Sequence, residues 1–283
     1  MIKIYADYHI DETNIHQFLK EDDTVLNIMD DSDAFDIMYM DVTSLIIPPI
    51  YNSLEEIYWR YSQLVTLSIP NTCTKLKQID CRMNKLTTLM ISDTFAKLKV
   101  IDCSHNKLVT LVIPDTCTSL EYIWCSANQL TTLVIPGTCT KLKGIYCYHN
   151  QLTSLTIPNT CTKLIEMRCS DNQLTSLTIP NTCTKLEILY CDNNQLTSLT
   201  IPDTCTSLKD IYCSNNNLTS VAIPNTCTKL EMLYCDKIKF ILVLCSHEFE
   251  LNIDNENKYS YYKKQTNLYL SSLSSLPNFR LFM

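Results

Sequence analysis

LEYIWCSANQLTTLVIPGTCTK, residues Leu120 to Lys141, decides the fold of this chain. The same 22-residue phrase recurs along most of its 283 residues. A period of this length marks a solenoid, in which each unit has an apolar face that only its neighbours can cover. Working outward, strong copies begin at Leu76, Leu98, Leu120, Leu142, Leu164, Leu186 and Leu208. The copy from Leu54 keeps Ile57, Trp59, Leu64, Leu67, Ile69 and Pro70, with Ser62 where the others have Asn.

The array fades at both ends. A degenerate copy begins near Ser32, with Phe35, Ile37, Val42, Leu45 and Ile47 in register and Met40 at the Asn position. The copy from Leu230 decays after Cys235, where Phe240, Val243 and Cys245 are candidates for its core positions. The expected organisation is therefore an N-terminal cap over 1–31, a solenoid over 32–245 and a C-terminal cap or tail over 246–283. Within the first cap, MIKIYA alternates as a strand does, and Asp11 to Lys20 has helical spacing. Within the last, Phe249, Leu251 and Ile253 alternate as a capping strand.

Inside the unit, L-x-x-I-x-C-S-x-N-x-L-T-x-L-x-I-P-x-T-C-T-x, two stretches alternate with period two. In I-x-C, Ile and Cys point inward and the middle residue outward, so successive copies stack as parallel strands ~4.8 Å apart. The second stretch, L-T-x-L-x-I, alternates again and predicts an extended convex side rather than a helix. Pro ends that stretch, since it cannot donate to a ladder; Ser92 is the exception. The chain has only two glycines, Gly137 and Gly144, so Asn is expected to make the left-handed turns. The column Asn84, Asn106, Asn128, Asn150, Asn172, Asn194 and Asn216 is also expected to bond buried backbone. Thr-Cys-Thr after Pro reads as a turn with local hydroxyl bonds. It also resembles the ice-binding face of insect antifreeze solenoids, the weaker reading.

Sixteen cysteines are present. Eight fall once per repeat, from Cys81 to Cys235, and seven more form a second series from Cys73 to Cys227 in which Phe95 takes one place. A thiol that Phe can replace behaves as a small hydrophobe. Parallel side-chain directions favour buried free thiols over bridges, and no CxxC pair or Cys/His cluster suggests zinc.

The first half of the unit resembles the leucine-rich repeat pattern L-x-x-L-x-L-x-x-N-x-L. The second, IPNTCTKL, resembles the phrase of FNIP and BspA-like leucine-rich repeats. Cysteine-rich arrays of this kind resemble those of giant DNA viruses and amoebae. The resemblance covers about residues 32–245. It implies a β-rich solenoid, a leucine-rich repeat horseshoe with a parallel sheet on its concave face and small terminal caps. It also implies partner binding through that sheet.

The net charge of -7 argues against nucleic acid as a partner. No apolar run is long enough to span a membrane, and no signal peptide opens the sequence. The chain therefore reads as cytoplasmic, in the host cell if it is viral. No triad spacing, phosphate loop or metal set occurs, so no catalytic residue, metal or cofactor is expected.

What varies between copies is the outward strand position, which runs Tyr58, Asp80, Asp102, Trp124, Tyr146, Arg168, Tyr190, Tyr212, Tyr234. Tyr, Trp and Arg dominate binding hot spots. The candidate partner-binding set is therefore Tyr58, Tyr122, Trp124, Tyr146, Tyr148, Arg168, Tyr190, Tyr212 and Tyr234. Flanking positions add Glu56, Glu166 and Asp210 on one side and Arg60, Arg82, Asp192 and Asp236 on the other. The expected function is a non-catalytic scaffold that binds a partner protein, a host protein if the chain is viral, through this aromatic face. The alternatives are a substrate receptor of a ubiquitin-ligase complex and a purely structural protein.

Overall fold

The computed structural model describes residues 8–10, 25–27, 42–235, 240–243, 250–255 and 258–263. The chain divides into two compact units, Met1–Lys141 and Leu142–Met283, at the junction between two copies of the repeat. Both are parallel-strand β-solenoids, about nine turns in all, with no helix among the described residues.

In the first unit, Glu56–Tyr58, Gln78–Asp80, Val100–Asp102 and Tyr122–Trp124 pair in parallel, each residue opposite its counterpart in the next copy. In the second, Gly144–Tyr146, Glu166–Arg168, Ile188–Tyr190, Asp210–Tyr212 and Met232–Tyr234 do the same. The middle residue of each strand, such as Ile101 or Leu189, is fully buried. The convex side is extended, as its alternation predicts. Thr110–Leu111 pairs with Thr132–Leu133 in the first unit, and Leu199–Thr200 pairs with Val221–Ala222 in the second.

The Asn column fastens each coil to the one before it. Asn106 Nδ2 donates to the Cys81 carbonyl in the preceding coil and to the Cys103 carbonyl in its own, both at 3.0 Å. Its Oδ1 accepts from Leu86 N at 2.9 Å. Asn172 and Asn194 repeat the pattern in the second unit. An amide supplies donors and an acceptor on one short stem, which no apolar residue can do.

The column Asn does not itself take the left-handed conformation, although Asn193 and Asn215, each just before a column Asn, do. Positive φ falls on the residue before it, at Tyr61, Met83, His105 and Ala127 in the first unit and His149, Asp171, Asn193 and Asn215 in the second, all between 51° and 59°. The column Asn stays outside that region because its side chain must point inward to reach two coils.

All fifteen cysteines of the described residues are free and buried. Those of the turn series donate weakly to the carbonyl one coil back, as Cys205 Sγ does to Cys183 O at 3.7 Å. Burial pushes the Cys73 and Cys161 thiols up to about 11, which leaves them protonated and inert. Phe95 is also fully buried and keeps the same turn, its N–H donating to Ser92 O at 3.1 Å as Cys117 N–H does to Pro114 O at 3.0 Å. The turn hydroxyls bond across coils and not only locally. Thr72 Oγ1 donates to Pro49 O at 3.0 Å and Thr94 Oγ1 to Asn71 O at 2.6 Å.

The period slips at both ends. Beside Ile57 stands Leu26, where the repeat would put residue 35. In strict register Ala34, Phe35 and Asp36 would face Glu56, Ile57 and Tyr58, the places that Val25, Leu26 and Asn27 take. Tyr8–Ile10 pairs with Val42–Ile46 on the convex side. At the other end Val243 faces Ile223, where the period would give Cys245. That copy has Ile238 in place of the Asn that sets the turn elsewhere. Glu250–Asn255 then pairs in parallel with Met232–Tyr234 and antiparallel with Lys258–Lys263, so a hairpin follows the last coil. MIKIYA, Asp11 to Lys20, Phe35, Ile37, Cys245 and Phe249 lie outside the described residues.

Candidate functional site

Each three-residue strand turns its first and third residues outward, and the residue two further on continues the row. The first unit fills this face mainly with ions. Asp80 and Asp102, adjacent in the ladder, are only 3% and 7% exposed. The sequence reading placed both in solvent. Instead, arginines on the next outward position lie across them: Arg60 Nε is 2.7 Å from Asp80 Oδ2, and Arg82 Nη1 is 3.5 Å from Asp102 Oδ2. Burial, and then the charge of Asp102, raises the Asp80 carboxyl above its ordinary range. Tyr58 lies beneath the Arg60 guanidinium, 4.8 Å from ring centroid to Cζ, and donates to Glu56 Oε2 at 2.9 Å. Burial and that carboxylate push its hydroxyl up to about 12.

The ionic rows separate Tyr58 from the other predicted aromatics of this unit. Tyr122 and Trp124 stack side by side along one strand, with centroids 5.1 Å apart and planes 4° from parallel.

The second unit fills the same positions with rings. Tyr146, Arg168, Tyr190, Tyr212 and Tyr234 stand opposite one another in register. The Arg168 guanidinium covers the Tyr190 ring at 4.5 Å. Tyr190 to Tyr212 and Tyr212 to Tyr234 are each 4.2 Å between centroids. Glu166 fixes the start of this row, accepting from Arg168 Nε and from the Tyr146 hydroxyl, both at 2.5 Å. Tyr212 donates to Met232 Sδ at 2.9 Å, and burial and its neighbouring tyrosines raise its hydroxyl well above the ordinary value. Tyr148 stands off this row, edge-on to His149 at 5.4 Å. All these rings are half-buried rather than fully exposed, because neighbours ~4.8 Å apart shade one another.

Two carboxylates beside the rail were read from the sequence only as flanking residues, Asp192 and Asp210. Asp192 accepts from Ser170 Oγ at 2.6 Å and Asn193 Nδ2 at 3.2 Å, and forms no ion pair among the described residues. Burial and then the charge of Glu231 raise the Asp210 carboxyl. What marks them in the sequence is parity: each lies two residues from a rail tyrosine and so shares its face. Asp236 lies outside the described residues.

No group of three or more His, Cys, Asp or Glu is placed to hold a metal among the described residues. No helix among them is long and apolar enough to cross a membrane.

With this geometry in hand, the chain can be set beside known proteins. Solved structures share the fold. The functional domain of InlJ from Listeria monocytogenes, which includes a cysteine ladder, matches with a TM-score of 0.57 and 24% identity, over 70% of this chain and 48% of its own. An internalin, InlF, from Listeria monocytogenes str. 4b F2365 matches with a TM-score of 0.54 and 15% identity, over 77% of this chain and 75% of its own. The plant peptide hormone receptor RGFR1, solved in complex with RGF2, matches with a TM-score of 0.55 and 26% identity, over 69% of this chain and 33% of its own. This chain thus spans about half the InlJ domain and a third of the receptor. No curated protein matches it by sequence. The BspA type leucine rich repeat region matches in six copies, over residues 31–149 and 121–239. By that match, over most of its length, the chain belongs to the BspA-type leucine-rich repeat family.

Proposed function

We propose that this chain is a non-catalytic scaffold that captures a protein partner on the strand face, with the second unit's tyrosine rail as its principal contact. The observation that carries the reading is the unbroken row from Arg168 through Tyr190 and Tyr212 to Tyr234. Stacked rings hold one another in place, so little side-chain freedom is lost when a partner lands on them. Leucine-rich repeat folds typically serve protein–protein interaction, and RGFR1 is seen with RGF2 bound. Tyr146 and Tyr148 join the second unit's proposed surface as secondary contacts, and Tyr122 with Trp124 is the proposed contact of the first unit's own strand face.

The reading extends to a reducing compartment, the cytoplasm, supported by fifteen buried free thiols. A host protein is the expected partner if the chain is viral.

The test is affinity capture with the native chain and with Tyr190→Ala/Tyr212→Ala, whose unfolding midpoints are compared first. Loss of the captured partner in a folded variant supports the reading; unchanged capture refutes it. Ligase subunits that copurify only when residues 1–31 are present would instead favour a substrate receptor of a ubiquitin-ligase complex.

A further inference from the structure

The two carboxylates beside the tyrosine rail define what it takes. Asp192, two residues past the strand Ile188–Tyr190 where Cys191 N–H still donates to Tyr212 O, and Asp210, the first residue of the adjacent strand, lie on opposite sides of the Tyr190–Tyr212 pair, since Ile188 faces Asp210 and Tyr190 faces Tyr212. Asp210 is therefore level with a residue four before Asp192. Four residues of strand span ~13 Å, and the next strand is ~4.8 Å away, so the two carboxylates stand ~14 Å apart across the rings. Neither is in an ion pair among the described residues. The arginine of this face, Arg168, is held by Glu166 one row away.

Tyr190 and Tyr212, tilted by 48°, and Tyr212 and Tyr234, stacked, are each 4.2 Å between centroids, so an incoming cation has no room between the rings. It finds the carboxylates at either side. Between these lie the half-buried edges of Tyr190 and Tyr212.

From this geometry we infer that the rail binds an extended segment of a protein with basic residues four apart and an apolar residue midway: basic, any, apolar, any, basic. The inference rests on the scaffold reading above. An extended chain repeats its side-chain direction every two residues, so all three key residues point the same way, and positions four apart are ~13 Å distant. The outer residues reach Asp192 and Asp210, and the middle one rests on the ring edges. Arginine suits the outer places better than lysine because its planar fork binds a carboxylate through two parallel bonds.

The experiment uses fluorescence polarisation on the full chain with two labelled peptides of one composition. One is Gly-Arg-Thr-Leu-Thr-Arg-Gly; the other, Gly-Thr-Leu-Thr-Arg-Arg-Gly, has its arginines adjacent. The spaced peptide is expected to bind about tenfold or more tightly, equivalent to ~1.4 kcal/mol. Asp192→Asn/Asp210→Asn should remove that preference. Asp115→Asn/Asp203→Asn, which removes the same charge from two exposed turns, should keep it.

No preference for the spaced peptide overturns the inference, as does equal weakening by both double variants, which would mean general attraction to an acidic protein. The scaffold reading can fail or survive separately. If partner capture needs Tyr190 and Tyr212 but ignores the Asp192/Asp210 variant, the scaffold stands and the basic motif falls. If capture ignores the tyrosines, the scaffold falls, while the peptide result still decides the motif.

Discussion

In the first unit, Asp80 and Asp102 are 3% and 7% exposed and lie under the guanidinium groups of Arg60 and Arg82. In the second, the equivalent outward positions hold Tyr190 and Tyr212, half-buried rings 4.2 Å apart and tilted by 48°. The backbone beneath is the same: parallel strands in strict register, a buried middle residue and an Asn that bridges coils. The difference therefore comes from side chains alone. Ion pairs across the first face cover its carboxylates and complete its structure. Rings across the second contact one another, and the flanking carboxylates form no ion pair among the described residues, since the cations near Asp210, Arg168 and Lys209, are paired with Glu166 and Glu187.

The comparison breaks most visibly if the buried ions are removed. Asp80→Ala removes the carboxylate that Arg60 faces at 2.7 Å and one of the two that Arg82 faces. Breaking a fully buried pair costs about 3–5 kcal/mol. Because the Arg82 side chain is 36% exposed, we expect about 2–3 kcal/mol here, the rest being screened. Tyr212→Ala, on the rail, should cost less than about 1 kcal/mol of stability, since a half-exposed strand residue loses only part of its contacts. Urea unfolding of both variants tests the contrast. Equal losses would mean that the rail is as structural as the ionic face.

Binding should show the reverse. Tyr190→Ala/Tyr212→Ala is expected to weaken partner binding by about 2 kcal/mol, roughly thirtyfold, as for a hot-spot pair. Asp102→Asn, beneath Arg82 in the other unit, should leave affinity within about twofold. Titration calorimetry with the captured partner would measure both. A larger loss from Asp102→Asn would move the binding surface to the first unit.

These contrasts follow from what the repeat could and could not disclose. Period and parity are backbone properties, so Ile101, Leu189, the thiol ladders and the Asn bonds were legible from spacing alone. The burial of Asp80 was not. Parity says which side of a sheet a residue faces, but not whether Arg60 will fold over it. The half-burial of the tyrosines escaped for the same reason, since shading depends on the neighbour's rotamer. The slip that sets Leu26 beside Ile57 was hidden because Leu45, in the same degenerate copy, keeps strict register with Leu67.

Acid should separate the faces further. The Asp80 carboxyl is raised above its unfolded value by burial and by Asp102. A carboxyl shifted upward contributes stability below its unfolded pKa, near ~3.9, and loses that contribution as pH rises through the folded one. The native chain should therefore gain stability relative to Asp80→Asn as pH falls from neutral towards about 4. Denaturation of both proteins across that range gives the sign. If the native chain instead loses ground to the variant on acidification, the ion pairs with Arg60 and Arg82 outweigh the desolvation of Asp80.

The smallest effect lies in the turns. Both units place one residue per coil at positive φ, but with different side chains: Tyr61, Met83, His105 and Ala127 in the first, His149, Asp171, Asn193 and Asn215 in the second. Asn and Asp tolerate this region because their short polar side chains bond locally; residues such as Ala pay ~1–2 kcal/mol. Glycine avoids the Cβ clash but costs ~0.5–1 kcal/mol in chain entropy. Ala127→Gly should thus stabilise the first unit by about 0.5–1 kcal/mol, the difference of those two terms. Asn193→Gly should give little or nothing, because Asn already carries a reduced penalty. Paired thermal melts decide it, and the test bears on more than turns. In a solenoid each coil contacts only its neighbours, so a gain at Ala127 should appear as slower local hydrogen exchange around Trp124 and Leu130 and leave Tyr212 unchanged. An equal gain at both glycine sites would show that the two units carry the same backbone strain and differ only in the faces built on it.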